Sequence, residues 1–207
     1  MKTSQREPNS GLLGWLKAEA RPLLVMLVLL AVARTSFANH YNVPSGSMEP
    51  TLQVGDRVVA DMSAYGLRVP YTDIEIMPRG TPQRGDIVLL KSPVDGTRLI
   101  KRVVAVGGDE VSLIDGRLSI DGRPLAASED GETERFGERY VHLDLRDGGG
   151  PDVPYLRIPQ GQVLLVGDHR GNSRDGREFG LVPARKLYAR AVGVYYRRGE
   201  GFVWKKL

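Results

Sequence analysis

Leu99-Ile100-Lys101-Arg102-Val103-Val104-Ala105-Val106 holds six apolar side chains in eight, four of them branched at Cβ. Such a run favours an extended strand, because β-branched side chains lose χ1 freedom in a helix and pack well on a pleated surface. Strand alternation sets Leu99, Lys101, Val103 and Ala105 on one face and Ile100, Arg102, Val104 and Val106 on the other. The Lys-Arg pair at the centre leaves two readings open. It is either two exposed cations on an edge strand or a lysine buried among apolar neighbours.

Similar stretches recur on both sides. Val-, Ile- and Leu-rich segments at 54–61, 86–91, 98–106, 109–114, 117–121, 162–167 and 188–197 alternate with Gly, Asp and Pro turn signals. Asp115-Gly116 and Asp121-Gly122 are hairpin-type dipeptides around a very short strand. Beyond residue 40 no segment sustains a 3.6-residue apolar period, although Ala184–Leu187, after Pro183, suits one helical turn. The expected body is mostly β and antiparallel. Residues 122–160 break the pattern: charged, rich in Gly and Pro and poor in apolar residues, they read as an insertion over the surface or a small subdomain. No internal repeat is present.

The composition is that of an ordinary folded chain: 207 residues, 41% hydrophobic and 26% charged. The absence of cysteine excludes disulfides, thiolate zinc sites, iron–sulfur clusters and a cysteine nucleophile. Three scattered histidines, His40, His142 and His169, do not form a histidine-rich metal site. Without a Gly-rich phosphate loop, an HExxH or an acidic metal cluster, no metal and no cofactor is expected. The net charge of +4 is unevenly placed: residues 1–38 carry five basic and two acidic residues. The near-neutral remainder does not suit a nucleic-acid partner, whereas a basic N-terminus suits a membrane.

Residues 22–33, PLLVMLVLLAVA, are the only long uncharged apolar run. Extended to Ala38 the run has 17 residues. That is roughly 25 Å of helix at ~1.5 Å per residue, enough to span if Arg21 and Arg34 snorkel. The cations ahead of it place the N-terminus in the cytoplasm. The expected organisation is a cytoplasmic segment 1–21, a transmembrane anchor 22–38 and an extracytoplasmic domain 39–207. A buried core helix is a second reading of the run. A cleaved signal peptide ending at Ala33 or Ala38 is a third.

Three stretches carry chemistry. Val43-Pro44-Ser45-Gly46-Ser47-Met48-Glu49-Pro50-Thr51-Leu52 is a rigid turn with a hydroxyl on each side of a glycine, or simply a Ser/Gly/Pro loop. A serine nucleophile needs a base. Asp168 and His169 are adjacent in the chain, and neighbouring side chains rarely align as a Ser-His-Asp relay. Lysine is the other residue that activates serine, provided that burial keeps it neutral, and Lys101 lies in an apolar strand. The third stretch, Gly167-Asp168-His169-Arg170-Gly171-Asn172-Ser173-Arg174-Asp175-Gly176-Arg177, is a loop after the apolar strand Val163–Val166. It is either a charge-paired loop or a buttress that sets a hydroxyl beside the lysine.

In this order, after an apolar anchor and with Arg84-Gly85-Asp86-Ile87-Val88 between the first two, the stretches resemble the type I signal peptidase (leader peptidase) family. The resemblance covers roughly 22–121 and 162–196. It implies a coiled antiparallel β catalytic core and one N-terminal transmembrane helix. It also implies a single-pass inner- or plasma-membrane enzyme, with its catalytic domain on the extracytoplasmic (periplasmic) side, that cuts signal peptides from exported preproteins. By the same resemblance Ser47 is the acylating nucleophile and Lys101 its general base. Ser173 orients the amine, and Ser45 completes an oxyanion hole with the Ser47 N–H. Asp168 with Arg102 and Asp175 with Arg177 are structural ion pairs. Val43, Pro44, Met48, Leu52 and Ile100 line the pockets for small side chains at −1 and −3. No cofactor is implied; membrane lipid is. His169, Gly171, Gly176 and Ala105-Val106-Gly107-Gly108-Asp109 depart from the family's usual residues. A dedicated conjugation or pilin peptidase and a non-catalytic membrane-tethered β module are the alternative readings.

Overall fold

A computed structural model describes residues 20–27, 38–68 and 75–207. The first strands are β1 (Ala38–Asn42), β2 (Arg57–Asp61), β3 (Gly66–Arg68), β4 (Glu75–Pro78), β5 (Ile87–Lys91) and β6 (Arg98–Val106). The middle of the chain forms β7 (Glu110–Ile114), β8 (Arg117–Ile120), β9 (Arg123–Pro124), β10 (Thr133–Phe136), β11 (Arg139–His142) and β12 (Val153–Arg157). The last are β13 (Gln162–Val166), β14 (Val182–Pro183), β15 (Ala189–Arg197) and β16 (Gly201–Lys206). Each of the seven stretches predicted from sequence holds a strand, namely β2, β5, β6, β7, β8, β13 and β15.

The main sheet runs β1-β2-β15-β5-β6-β13-β14, with β16 paired to β15, and all of its pairs are antiparallel. A second sheet runs β12-β7-β8-β9, and β3–β4 and β10–β11 are two-stranded. The architecture is thus mostly β and antiparallel. The turn predicted at Ala184–Leu187 is a 3-10 turn over Ala184–Lys186.

β6 lies between β5 and β13, so its centre is interior and the edge-strand reading does not hold. Lys101 and Arg102 are each 3% exposed. Strict alternation fails at one point. The register against β13 shifts between Leu164↔Ala105 and Leu165↔Val103, which leaves Val104 as the extra residue of a bulge. Ala105 therefore packs with Val104, Leu113 and Leu164, whereas Val106 joins Leu99, Val103 and Leu165. Ile100 belongs to a third cluster with Met48, Leu52 and Leu89.

Two expectations change. Segment 122–160 is part of the fold: β12 pairs with β7, and Phe136, Val141 and Leu143 are buried in the same cluster as Val104. Its low apolar content hides this role because one of its two deepest residues is charged. Glu134 is 1% exposed and pairs through Oε2 with Arg170 Nη2 at 2.6 Å. Ala38, read as the end of the anchor, is instead the first residue of β1. Residues 20–27 are helical and exposed, and positions 28–37 of the expected anchor lie outside the described residues. Among the described residues no helix is long and apolar enough to cross a membrane.

The Glu134–Arg170 pair gives a test of this integration. Removing one partner of a buried pair strands the other charge, which costs about 3–5 kcal/mol. Glu134→Ala should lower the unfolding free energy by at least about 3 kcal/mol in denaturant titration, and adding Arg170→Met should recover part of the loss. A change below about 1 kcal/mol would detach 122–160 from the core.

Candidate active site

β6 delivers Lys101, with Val88 of β5 opposite it in register. Ser47 arrives on a 3-10 turn, Gly46–Met48, that ends in a buried methionine. Met48 is 1% exposed and packs with Val43, Leu52 and Ile100, which fastens the serine turn to the sheet beside the lysine strand. The result is a direct contact: Lys101 Nζ donates to Ser47 Oγ at 2.6 Å. When the amine is neutral the same contact reverses, with the hydroxyl donating to the nitrogen lone pair.

Burial pulls the Lys101 amine down from its ordinary value to about 8. Asp175 and Asp168 pull in the other direction, and Arg177 adds to the lowering. Burial prevails because both acids are already paired. Arg102 donates through Nε and Nη2 to the two oxygens of Asp168, at 2.8 and 2.7 Å. Arg177 donates likewise to Asp175, at 2.8 Å for each bond. Burial by itself would raise the Asp175 carboxyl. The Arg177 guanidinium, the Ser173 hydroxyl and the Gly167 N–H outweigh it and hold that carboxyl below the usual range.

These ion pairs also carry the loop after β13. Asp175 Oδ2 accepts the Gly167 N–H at 3.0 Å, and the His169 N–H donates to Ser47 O at 3.2 Å. Gly167 sits so close to the serine turn that a Cβ there would lie 2.3 Å from both Ser47 O and Ser173 Oγ. Only glycine permits this approach. Thr51, singled out by no role in the sequence, closes the ring: its hydroxyl donates to Asp168 Oδ2 at 2.6 Å. The only hint was its place in the Pro50-Thr51-Leu52 run, since its partner is 117 residues away.

Other positions differ from expectation. Ser173, assigned to the lysine amine, has a buried Oγ that lies close enough to the Asp175 carboxyl to lower it but makes no well-aligned hydrogen bond, and none to Lys101. Ser45 Oγ lies 3.4 Å from Ser47 Oγ, too far for a good hydroxyl hydrogen bond, and Ser45 is exposed towards solvent. Of the five pocket residues only Pro44 is exposed, whereas Leu52 is completely buried. Leu52 turns inward because its N–H bonds Met48 O at 2.9 Å. It therefore supports the turn and has no surface to offer a ligand. Among the described residues no histidine side chain hydrogen-bonds Ser47, and both His169 ring nitrogens lack a well-aligned partner.

An antiparallel β fold that presents a serine hydroxyl to a buried lysine has the parts of a serine hydrolase site. The chain belongs to the signal peptidase, peptidase S26, family, whose pattern matches residues 15–196. It is 33% identical to signal peptidase I of Pseudomonas aeruginosa, over 91% of this chain and 78% of that protein. It is 32% identical to the probable signal peptidase I-2 of Synechocystis sp., over 92% and 77% of the two chains. Among solved structures it matches a signal peptidase I from Enterococcus faecalis at 27% identity and a TM-score of 0.38, over 59% of this chain and 96% of that one.

The Gly167 contact yields a prediction. Gly167→Ala should push the Ser47 turn away from Lys101 and lower kcat at least about 100-fold, as misplacement of reacting groups by ~1 Å does. Far-ultraviolet circular dichroism should show the fold intact. Activity within threefold of wild type would mean that the loop and the turn are not held in register.

Proposed function

We propose that this protein is a membrane-anchored signal peptidase that cuts signal peptides from exported preproteins with Ser47 as nucleophile and Lys101 as general base. The observation that carries this reading is the 2.6 Å contact between Ser47 Oγ and the Nζ of Lys101, a lysine that is itself buried. With an amine value of about 8, about a tenth of the lysine is neutral at pH 7. An unperturbed lysine would be neutral to only ~0.03%, so burial supplies roughly 300 times more base.

The neutral amine takes the hydroxyl proton as Ser47 Oγ attacks the scissile carbonyl carbon. Collapse of the tetrahedral adduct breaks the C–N bond, and the protonated lysine returns the proton to the leaving amine. Water then attacks the acyl ester with Lys101 again as base, which frees Ser47. The Ser47 N–H and the Ser45 hydroxyl are the proposed donors to the oxyanion. Ser45 reaches that position by a rotation of an exposed side chain. Ser173, one residue wall away behind Gly167, is a positioning residue for the lysine side of the site. Pro44, with Val43, Met48 and Ile100 beneath it, forms a shallow surface suited to Ala, Gly or Ser at −1 and −3. Larger side chains would lift the carbonyl away from Ser47.

Segment 22–37, the expected anchor without Ala38, is the proposed anchor, with residues 1–21 cytoplasmic and the β domain on the extracytoplasmic side of the inner or plasma membrane. The eight steps from Asn39 to Ser47 span at most roughly 28 Å at ~3.5 Å each, which keeps the serine near the lipid surface. A signal peptide lodged in the same bilayer presents its cleavage site at that level, and a shared membrane raises the effective concentration of both partners.

The test is cleavage of one model preprotein by the full chain. Ser47→Ala and Lys101→Ala should each reduce kcat by at least about 1000-fold, and the double variant should be no worse than either, because nucleophile and base act as a unit. Turnover by Lys101→Ala within tenfold of wild type would remove lysine from the mechanism.

A further inference from the structure

On the other side of the Ser47 turn lies a cluster that the peptidase chemistry does not use. Glu49, Asp144 and His169 each offer one donor atom, and these three atoms lie within 4.8 Å of one another. They come from three separate segments, and so no spacing rule finds them in the sequence. His169 is 5% exposed, yet neither ring nitrogen has a hydrogen-bond partner. Nε2 is 2.9 Å from Asp147 Oδ2 but misaligned for a hydrogen bond, and Nδ1 faces Asp144 Oδ2 at 3.8 Å. With Nε2 beside Asp147, the buried Nδ1 makes no hydrogen bond and is aimed at the Asp144 carboxylate, which are the features of a ligand nitrogen whose partner is a cation.

We propose that Glu49, Asp144 and His169 form a divalent transition-metal site, with Zn2+ as the best match and Mn2+ next. One imidazole with two carboxylates is a borderline donor set, too nitrogen-bearing for Mg2+ or Ca2+ and lacking the thiolate that Cu+ prefers. Two of the ligands are pre-positioned by backbone. Asp144 and His169 form an isolated parallel bridge, with the Asp144 N–H donating to Asp168 O and the Arg170 N–H to Asp144 O, both at 3.0 Å. Asp147 then serves as the outer carboxylate that orients the imidazole through Nε2. Its turn packs tightly on the loop: a Cβ at Gly171 would lie 2.1 Å from Asp147 O.

Two adjustments accompany binding. Donors of a tetrahedral Zn2+ at ~2.0–2.2 Å stand roughly 3.4 Å apart, so the three donor atoms, now within 4.8 Å of one another, have to draw together. Arg146 must give way, because it now holds Asp144 through Nε and Nη2 from a side chain that is 78% exposed. Arg146 is thus a resident cation that competes with the metal. Glu49 follows the 3-10 turn that carries Ser47, and its N–H bonds Gly46 O at 3.0 Å. Occupancy therefore acts directly on the serine turn.

The test is calorimetric titration of the untagged full chain in detergent with Zn2+, Mn2+ and Mg2+ at pH 7.5. One saturable Zn2+ equivalent is expected, bound more tightly than Mn2+, with no binding of Mg2+. Glu49→Gln and His169→Gln should each weaken Zn2+ at least tenfold, whereas Arg146→Ala should tighten it at least threefold. His40→Asn, on β1 against Tyr195, should leave it unchanged. Glu49 is only half buried, so its variant keeps the test valid if His169→Gln fails to fold. Absence of saturable Zn2+ or Mn2+ binding, or binding that Glu49→Gln does not weaken, would overturn the proposal.

Discussion

Burying an amine is costly, and a lysine that is 3% exposed without a carboxylate of its own has to shed its charge more easily than a lysine in water. That constraint organises the surrounding structure. Two carboxylates, Asp168 and Asp175, lie near enough to act on Lys101. Had either been unpaired it would have formed a salt bridge with the lysine and held it protonated. Each is instead claimed by an arginine in two-pronged geometry. The arginines at 102 and 177 are therefore as much a part of the lysine's chemistry as of the loop's stability.

The same pairs fix geometry. Arg102 neighbours Lys101 on β6, Asp168 neighbours Gly167 in the loop after β13, and Thr51 binds the same carboxylate from the serine stretch. Three segments distant in sequence thus meet on one buried group. The proposed Ser47–Lys101 dyad needs this, since a 2.6 Å contact between the two tolerates little play. Glycine at 167 completes it by removing the side chain that would hold loop and turn apart.

Much of this was legible in the sequence, for a physical reason. β-branched runs with turn dipeptides between them mark strands through local sterics, and β2, β5, β6, β7, β8, β13 and β15 follow that rule. The residues of the serine, lysine and loop stretches could be named because their order is specific. What escaped notice depends on partners far along the chain. The bulge at Val104 appears only against β13, and the burial of Glu134 only once Arg170 is placed. Leu52 looks like a pocket residue until the Met48 carbonyl turns it inward. Ser173 has the right neighbours but lacks the predicted hydrogen bond. The carboxylate–imidazole cluster at Glu49, Asp144 and His169 was invisible, since its members are scattered over three segments.

The central claim is that burial lowers the point at which Lys101 loses its proton to near 8, so that a usable fraction of neutral amine is present near physiological pH. The most direct measurement is a proton titration of Lys101 in the full chain in detergent micelles, followed by NMR of lysine labelled at Cε. The Lys101 signal, one of seven lysine signals, is assigned by its loss in Lys101→Ala. A lowered value means that the amine loses its proton earlier than in water, so neutral base accumulates as pH rises through the folded-state midpoint. A midpoint near 8 is expected for Lys101. A Lys101 midpoint at the ordinary lysine value of ~10.4 would contradict the claim.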